Sequence, residues 1–213
     1  MRTLQQILID ANATLDLDAS LPTGTELTTR ANYANQAVFD ASATGQLSEF
    51  KMEYTASVSA SSIATLPLPG NFRELQEDPQ ISDSSGGWSV YKGIEAENKY
   101  SYSTGDRYAY VLGNPASGYN LIVNNIIAGN LSVVYQRYPS GLATLSNVCE
   151  LSDPQYIVRK IESYVLYSRS DDRFPIAEQK SEQVLSNMMG REMKGTTGRG
   201  RDTLSKFKNP LGR

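Results

Sequence analysis

ELSDPQYIVRKIESYVLYSRSDDRFPIAEQKSEQVLSNMMGREM, residues 150–193, is the stretch whose reading decides the fold. It predicts two antiparallel helices joined by a short turn. Ser152 and Gln155 have capping-box spacing, and Asp153-Pro154 stands where a helix should begin. Ile157, Ile161, Tyr164, Val165 and Ser168 then recur at helical spacing. Asp171-Asp172-Arg173-Phe174-Pro175 breaks that run, with Asp172 placed to cap and Pro175 to start a second helix. Ala177, Ser181, Val184, Leu185 and Met188 form the second stripe, and Gly190 is the expected stop. Each helix has about 15–17 residues and spans about 24 Å. Such a pair is too thin to enclose a core, so its stripes must close on something else in the chain.

Outward from this hairpin, the amino-terminal region supplies matching stripes. Residues 1–18 read as a helix with Thr3 and Gln6 at capping-box spacing and Leu4, Ile7, Leu8, Ala11 and Leu15 on one face. After the Leu21-Pro22-Thr23-Gly24 turn, residues 26–43 read as a second helix, lined by Leu27, Ala31, Ala34, Val38 and Ala41 and ended by Gly45. At Glu49 the period changes to two. Phe50, Met52, Tyr54, Ala56 and Val58 alternate with polar residues, the pattern of a half-buried strand. Further strand candidates are 88–94, 99–103, 107–112, 119–127 and 131–138. The Pro-bearing phrase at 66–72 belongs to an edge or a turn. Short strands at this spacing suggest a small antiparallel sandwich or barrel. The order is thus two helices, a β module and two helices. The expected fold is α+β: a four-helix bundle of residues 1–48 and 150–192, an inserted antiparallel β module at 49–149, and an extended basic tail at 193–213.

Composition narrows the function. The 213 residues include a single cysteine, Cys149, and no histidine. That removes intrachain disulfides, Cys-His and Ser-His-Asp catalysis and most zinc sites, and leaves Cys149 reading as an inert residue. Carboxylate pairs such as Glu95/Glu97 and Asp171/Asp172 lie in loops, where solvated charge is the ordinary role. The expectation is that the protein is not an enzyme and takes no cofactor or metal. No apolar run approaches the length of a membrane span, and the amino terminus lacks the features of a secretory signal. Residues 191–213 hold seven basic and two acidic residues, which leaves 13 basic and 21 acidic residues in the body. A basic tail on an acidic body is the main electrostatic feature.

Five stretches carry a family likeness: the TLQQILIDAN helix at 3–12, the RANYANQA segment at 30–37, the LPLPGNFREL phrase at 66–75, the LSVVYQRYP strand at 131–139 and the closing helix hairpin. In these the chain resembles the head-to-tail adaptor (head-completion or connector) proteins of tailed bacteriophages. The resemblance implies a structural virion protein at the head–tail interface, assembled in the host cytoplasm. Such a protein docks on the portal as a homo-oligomeric ring of about twelve copies. The ring extends the DNA channel, lets packaged DNA pass during ejection without specific binding, and offers a surface to tail or nozzle proteins. Tail-terminator and other neck proteins share parts of this architecture.

Several residues are candidates for function. Arg199, Arg201, Leu204, Lys206, Phe207 and Lys208 are the portal-binding candidates, with Leu204 and Phe207 as apolar anchors and the cations as steering charges. A nucleic-acid-binding tail is a weaker reading, because only one aromatic is present to stack on bases. Asp171 and Asp172, with Asp16, Asp18 and Glu26, are channel-lining candidates that would repel DNA, against the plain alternative of a soluble surface. The 13 tyrosines and Trp88 open a different class of function, a glycan-binding β module on a helical stalk, with Trp88 and Tyr91 as its binding residues.

Overall fold

A computed structural model describes residues 2–15 and 17–205, and only the backbone for 192–205. The chain forms two compact units, Met1–Glu49 with Pro139–Arg213 and Phe50–Tyr138.

Among the described residues, the first unit holds four α-helices: α1 (Leu4–Thr14), α2 (Gly24–Ala43), α3 (Gln155–Ser168) and α4 (Phe174–Ser205). The Thr3–Gln6 capping box forms in both directions and starts α1. In α3 the cap is not Ser152. Asp153 Oδ1 accepts from the Gln155 amide at 3.1 Å, because the carboxylate next to Pro154 is the nearer acceptor. Ser152 instead donates its backbone N–H to Glu49 Oε1 at 2.9 Å. The other end of α3 closes with a Schellman motif. Ser170 takes the left-handed conformation at φ 53°, Ser170 N–H donates to Tyr167 O, and Asp171 N–H donates to Leu166 O.

The expected four-helix bundle does not form. Helices α1, α2 and α4 each pack on α3, which buries Tyr156, Ile157, Val158, Ile161, Glu162, Ser163, Val165 and Leu166. With polar and apolar side chains buried around its girth, α3 is a central helix rather than one wall of a shared seam. The segment 139–151 completes this interior, with Leu142, Cys149 and Leu151 buried. It runs beside α1, pairing Thr3 with Val148, and Asn35 of α2 fixes it by accepting from Leu142 N–H at 2.7 Å. The expected extended tail is also corrected, since α4 passes through Gly190 and continues to Ser205. One glycine with open space around it lowers helix propensity by only about 1 kcal/mol and does not end a helix that continues in good register.

The second unit is a β-sandwich of nine strands, a domain-sized element rather than a small module. It comprises β1 (Lys51–Val58), β2 (Ser61–Pro67), β3 (Phe72–Leu75), β4 (Gln80–Ser82), β5 (Trp88–Val90), β6 (Lys92–Gly93), β7 (Tyr108–Asn114), β8 (Gly118–Ile126) and β9 (Gly129–Arg137). One sheet runs β1-β9-β4-β5, with β3 also on β9. The other runs β2-β8-β7-β6, and the β6–β7 pair is parallel, so the sheets are not purely antiparallel. The 99–103 stretch is not a strand; a 3-10 turn covers Ala96–Ser101. Pro67 ends β2, an edge strand, where a missing N–H costs no ladder bond. Inward-facing Phe72, Ile81, Tyr91, Leu121, Val123, Leu131, Val133 and Tyr135 fill the space between the sheets. At the β8–β9 corner, a Cβ on Gly129 would lie 2.2 Å from Ser82 O, so only glycine allows this approach.

Candidate interaction site

Helix α4 carries the first group of candidates. It packs on α3 through buried Ala177, Ser181 and Met188. Arg199, Arg201 and Leu204 then fall on its last turns, where the backbone is helical. Lys206, Phe207 and Lys208 lie outside the described residues, as does Asp16.

The α3–α4 turn holds the second group. Asp171 forms the turn itself. Its Oδ1 accepts from the Arg173 backbone at 2.9 Å and Nε at 3.1 Å, and its Oδ2 accepts from Nη2 at 3.0 Å. The hydrogen bond from the Arg173 side chain holds its carboxyl below the usual carboxylate range. Asp172 beside it is exposed. Glu26, a third acid in this group, bonds to the Arg30 guanidinium and lies 3.8 Å from that of Arg169. Asp171 and Glu26 are therefore partnered within the chain, and Asp18 and Asp172 remain on the surface.

What keeps the hairpin rigid is a set of polar ties that periodicity does not reveal. Glu178 of α4 accepts from Lys160 Nζ and Ser163 Oγ of α3. Tyr164 OH of α3 donates to Asp40 Oδ2 of α2 at 2.5 Å, and Gln36 Nε2 donates to Asp40 Oδ1 at 2.8 Å. The Tyr33 and Tyr164 rings meet at 5.2 Å. Burial, then the Asp40 bond, pushes the Tyr164 hydroxyl well above the ordinary phenol value. Burial works upward on Glu178 too, but the hydrogen bonds from Lys160 and Ser163 outweigh it, and its carboxyl is lowered. These residues fix the angles between helices.

The same helices hold a small cleft of about 170 Å³ at the first turns of α2 and the last turn of α3. Arg30 lines it although only 1% exposed. Its position follows from the stripe of α2, where residues 30, 34, 37, 38 and 41 share the buried face. A reading that assigns arginine to solvent starts that stripe at Leu27 and misses it.

The sandwich presents its aromatics unevenly. Tyr91 is buried, accepting from the Ile127 amide and donating to Asn125 O, so it is a structural residue and not a ligand platform. Trp88 is 62% exposed and stands beside exposed Val90 on the edge strand β5. Tyr100 is 87% exposed, with Lys99 Nζ over its ring at 4.9 Å. Tyr102, Tyr108 and Tyr110 pack together on the outer face of β7, and Lys92 Nζ lies over Tyr102 at 5.5 Å.

Cys149 is buried, and burial pushes its thiol up, away from the reactive thiolate. Among the described residues no group of three or more Cys, Asp or Glu is placed to hold a metal ion, and no helix is long and apolar enough to cross a membrane. Comparison with protein-family models and with curated proteins finds no match for the chain.

Proposed function

We propose that this protein is a structural component of a tailed-phage virion, a head-to-tail adaptor that assembles as a ring, docks on the portal, extends the DNA channel and offers the tail its attachment surface. On this reading it performs no catalysis and stands at the head–tail interface after assembly in the host cytoplasm. The observation that carries the reading is the form of α4. It is tied to α3 near its start and runs 32 residues to a Gly- and Arg-rich end. An acidic body thereby presents a basic arm from a fixed base, an arrangement suited to an acidic groove on another protein. The polar ties among α2, α3 and α4 support it further, because ring closure requires each subunit to present its faces at one angle.

Deletion of residues 194–213 is the test. The truncated protein is expected to keep its cooperative melting transition, to lose only the helical circular dichroism of residues 194–205, and to lose addition to portal-bearing capsids. Normal docking by the truncated protein would falsify the tethering role. A ring seen coaxial with a capsid vertex by electron microscopy is the direct readout of the rest.

A second reading, glycan binding by the sandwich, has exposed Trp88 in its favour. Replacing Trp88 by Ala and screening both proteins on a glycan array separates the two. Binding that disappears with Trp88 favours the glycan reading.

A further inference from the structure

We infer that the cleft between the start of α2 and the end of α3 binds a carboxylate, supplied as an Asp or Glu side chain by an acidic segment of a partner protein. The inference does not depend on the adaptor reading. It rests on the state of Arg30. This side chain is almost wholly buried, and its Nη2 bonds to Glu26 Oε1, yet its Nε and Nη1 have no hydrogen-bond partner. A guanidinium stays charged at every accessible pH, so a buried one with free donors is costly to fold. Beside Val165 and the ring of Tyr33, a leucine or methionine would fill the space without burying an unpaired charge. Retaining arginine there points to an anion that completes its shell.

The surroundings agree in sign. Arg169, half exposed at the end of α3, approaches the same Glu26 oxygen at 3.8 Å. One carboxylate thus serves two guanidinium groups, and no other charged side chain lines the cleft, so its net charge is +1. Thr23, the residue before α2, places no side-chain hydrogen bond on the amides of the first turn. Those amides and the positive end of the helix dipole add to the attraction for an anion. Size selects the ligand class. About 170 Å³ lies below the roughly 300–1,000 Å³ of sites for small molecules and cofactors, but it accommodates one acidic side chain.

The experiment uses the full chain, labelled with ¹⁵N, and follows the Arg30 Nε–H resonance and the Thr25 and Glu26 amides at low salt. Site-resolved signals matter because the basic residues beyond Arg191 attract acidic peptides without this cleft. The probes are an acetylated tetraglutamate amide, its tetraglutamine counterpart and inorganic phosphate. The glutamate peptide is expected to shift all three resonances saturably, and the glutamine peptide to leave them unmoved. Arg169→Gln, a change at a half-exposed site, should weaken binding by about tenfold, as expected for losing one charge-assisted contact. Arg30→Met should weaken it at least as much, read at the Thr25 and Glu26 amides, and should raise the melting temperature of the free protein. Three results would overturn the inference. One is a glutamate peptide that moves only tail resonances. Another is affinity unchanged in Arg169→Gln. The third is phosphate shifting the three resonances while the glutamate peptide does not, which would mark a phosphate site.

Discussion

In the sandwich, Phe72, Ile81, Tyr91, Leu121, Leu131 and Val133 fill the interior, and the buried polar residues Asn124 and Gln136 are exceptions. In the helical unit, Arg30, Glu162, Ser163 and Ser181 are buried beside Ile7, Leu8 and Ile157, and alanines make up much of the α2 face. The contrast separates two ways of holding a fold. Strands of opposite sheets are joined by large apolar side chains, whose burial is strongly favourable and weakly directional. The helices also bury Ile7, Leu8, Tyr156, Ile157, Ile161 and Leu166, and add small residues that allow close approach and charged hydrogen bonds that accept only one geometry. Apolar burial therefore holds both interiors, and in the helical one polar ties also fix angles.

That contrast can be broken experimentally, and the largest effect belongs to the sandwich. Phe72→Ala removes a buried ring that stacks on Tyr135 and should cost about 3–5 kcal/mol in urea unfolding. Amide exchange of β8 and β9 should accelerate while that of α3 does not. Equal acceleration in α3 would mean that the two interiors are not separate.

Glu178→Gln tests the polar ties and should cost about 2 kcal/mol, since Lys160 and Ser163 both lose a charged acceptor. It also carries a pH signature. The Glu178 carboxyl is lowered on folding from an ordinary value of 4.5, so the stabilisation it contributes is complete above 4.5. It disappears as pH falls through the folded-state value beneath that. Wild-type melting temperature should fall across this acid range more steeply than that of the Gln variant. Parallel curves would remove Glu178 from the account.

Tyr164→Phe deletes one hydrogen bond to Asp40 and should cost about 1 kcal/mol by denaturant titration. The smallest effect has the opposite sign. Ser170 holds φ 53° at the end of α3, so Ser170→Gly should stabilise the helical unit by a few tenths of a kcal/mol up to about 1 kcal/mol. A loss of stability there would mean that the Ser170 side chain has a role beyond capping.

Much of the local structure was legible in the sequence because it depends on neighbours a few residues apart. The Thr3–Gln6 cap, the alternation of β1 from Tyr54 to Val58 and the break expected at 171–175, which falls at 169–173, are set by short-range sterics and hydrogen bonding. Short or exposed strands were not legible. β2, β3 and β4 acquire their identity from pairing with β8 and β9, some 50–60 residues downstream. Strand character also failed at 99–103, where Tyr102 packs on the outer face of a sheet and Tyr100 stands exposed, neither within a ladder.

The candidate site divides in the same way. Charge segregation between body and carboxy-terminal run is a property of composition and needs no structure. The partners of Asp171, Glu26 and Arg30 are not, because each depends on where a turn or a second helix brings a side chain.

The sequence by itself determined the four helices and the alternating strands, since backbone propensity and hydrophobic period act locally. Only the tertiary structure decided that α3 is the hub in place of a four-helix seam, that nine strands close as two sheets, and that Arg30 is buried with donors to spare. These outcomes depend on packing between residues that lie far apart in the chain, in the helical unit more than a hundred positions, and packing energy has no signature until the surfaces meet.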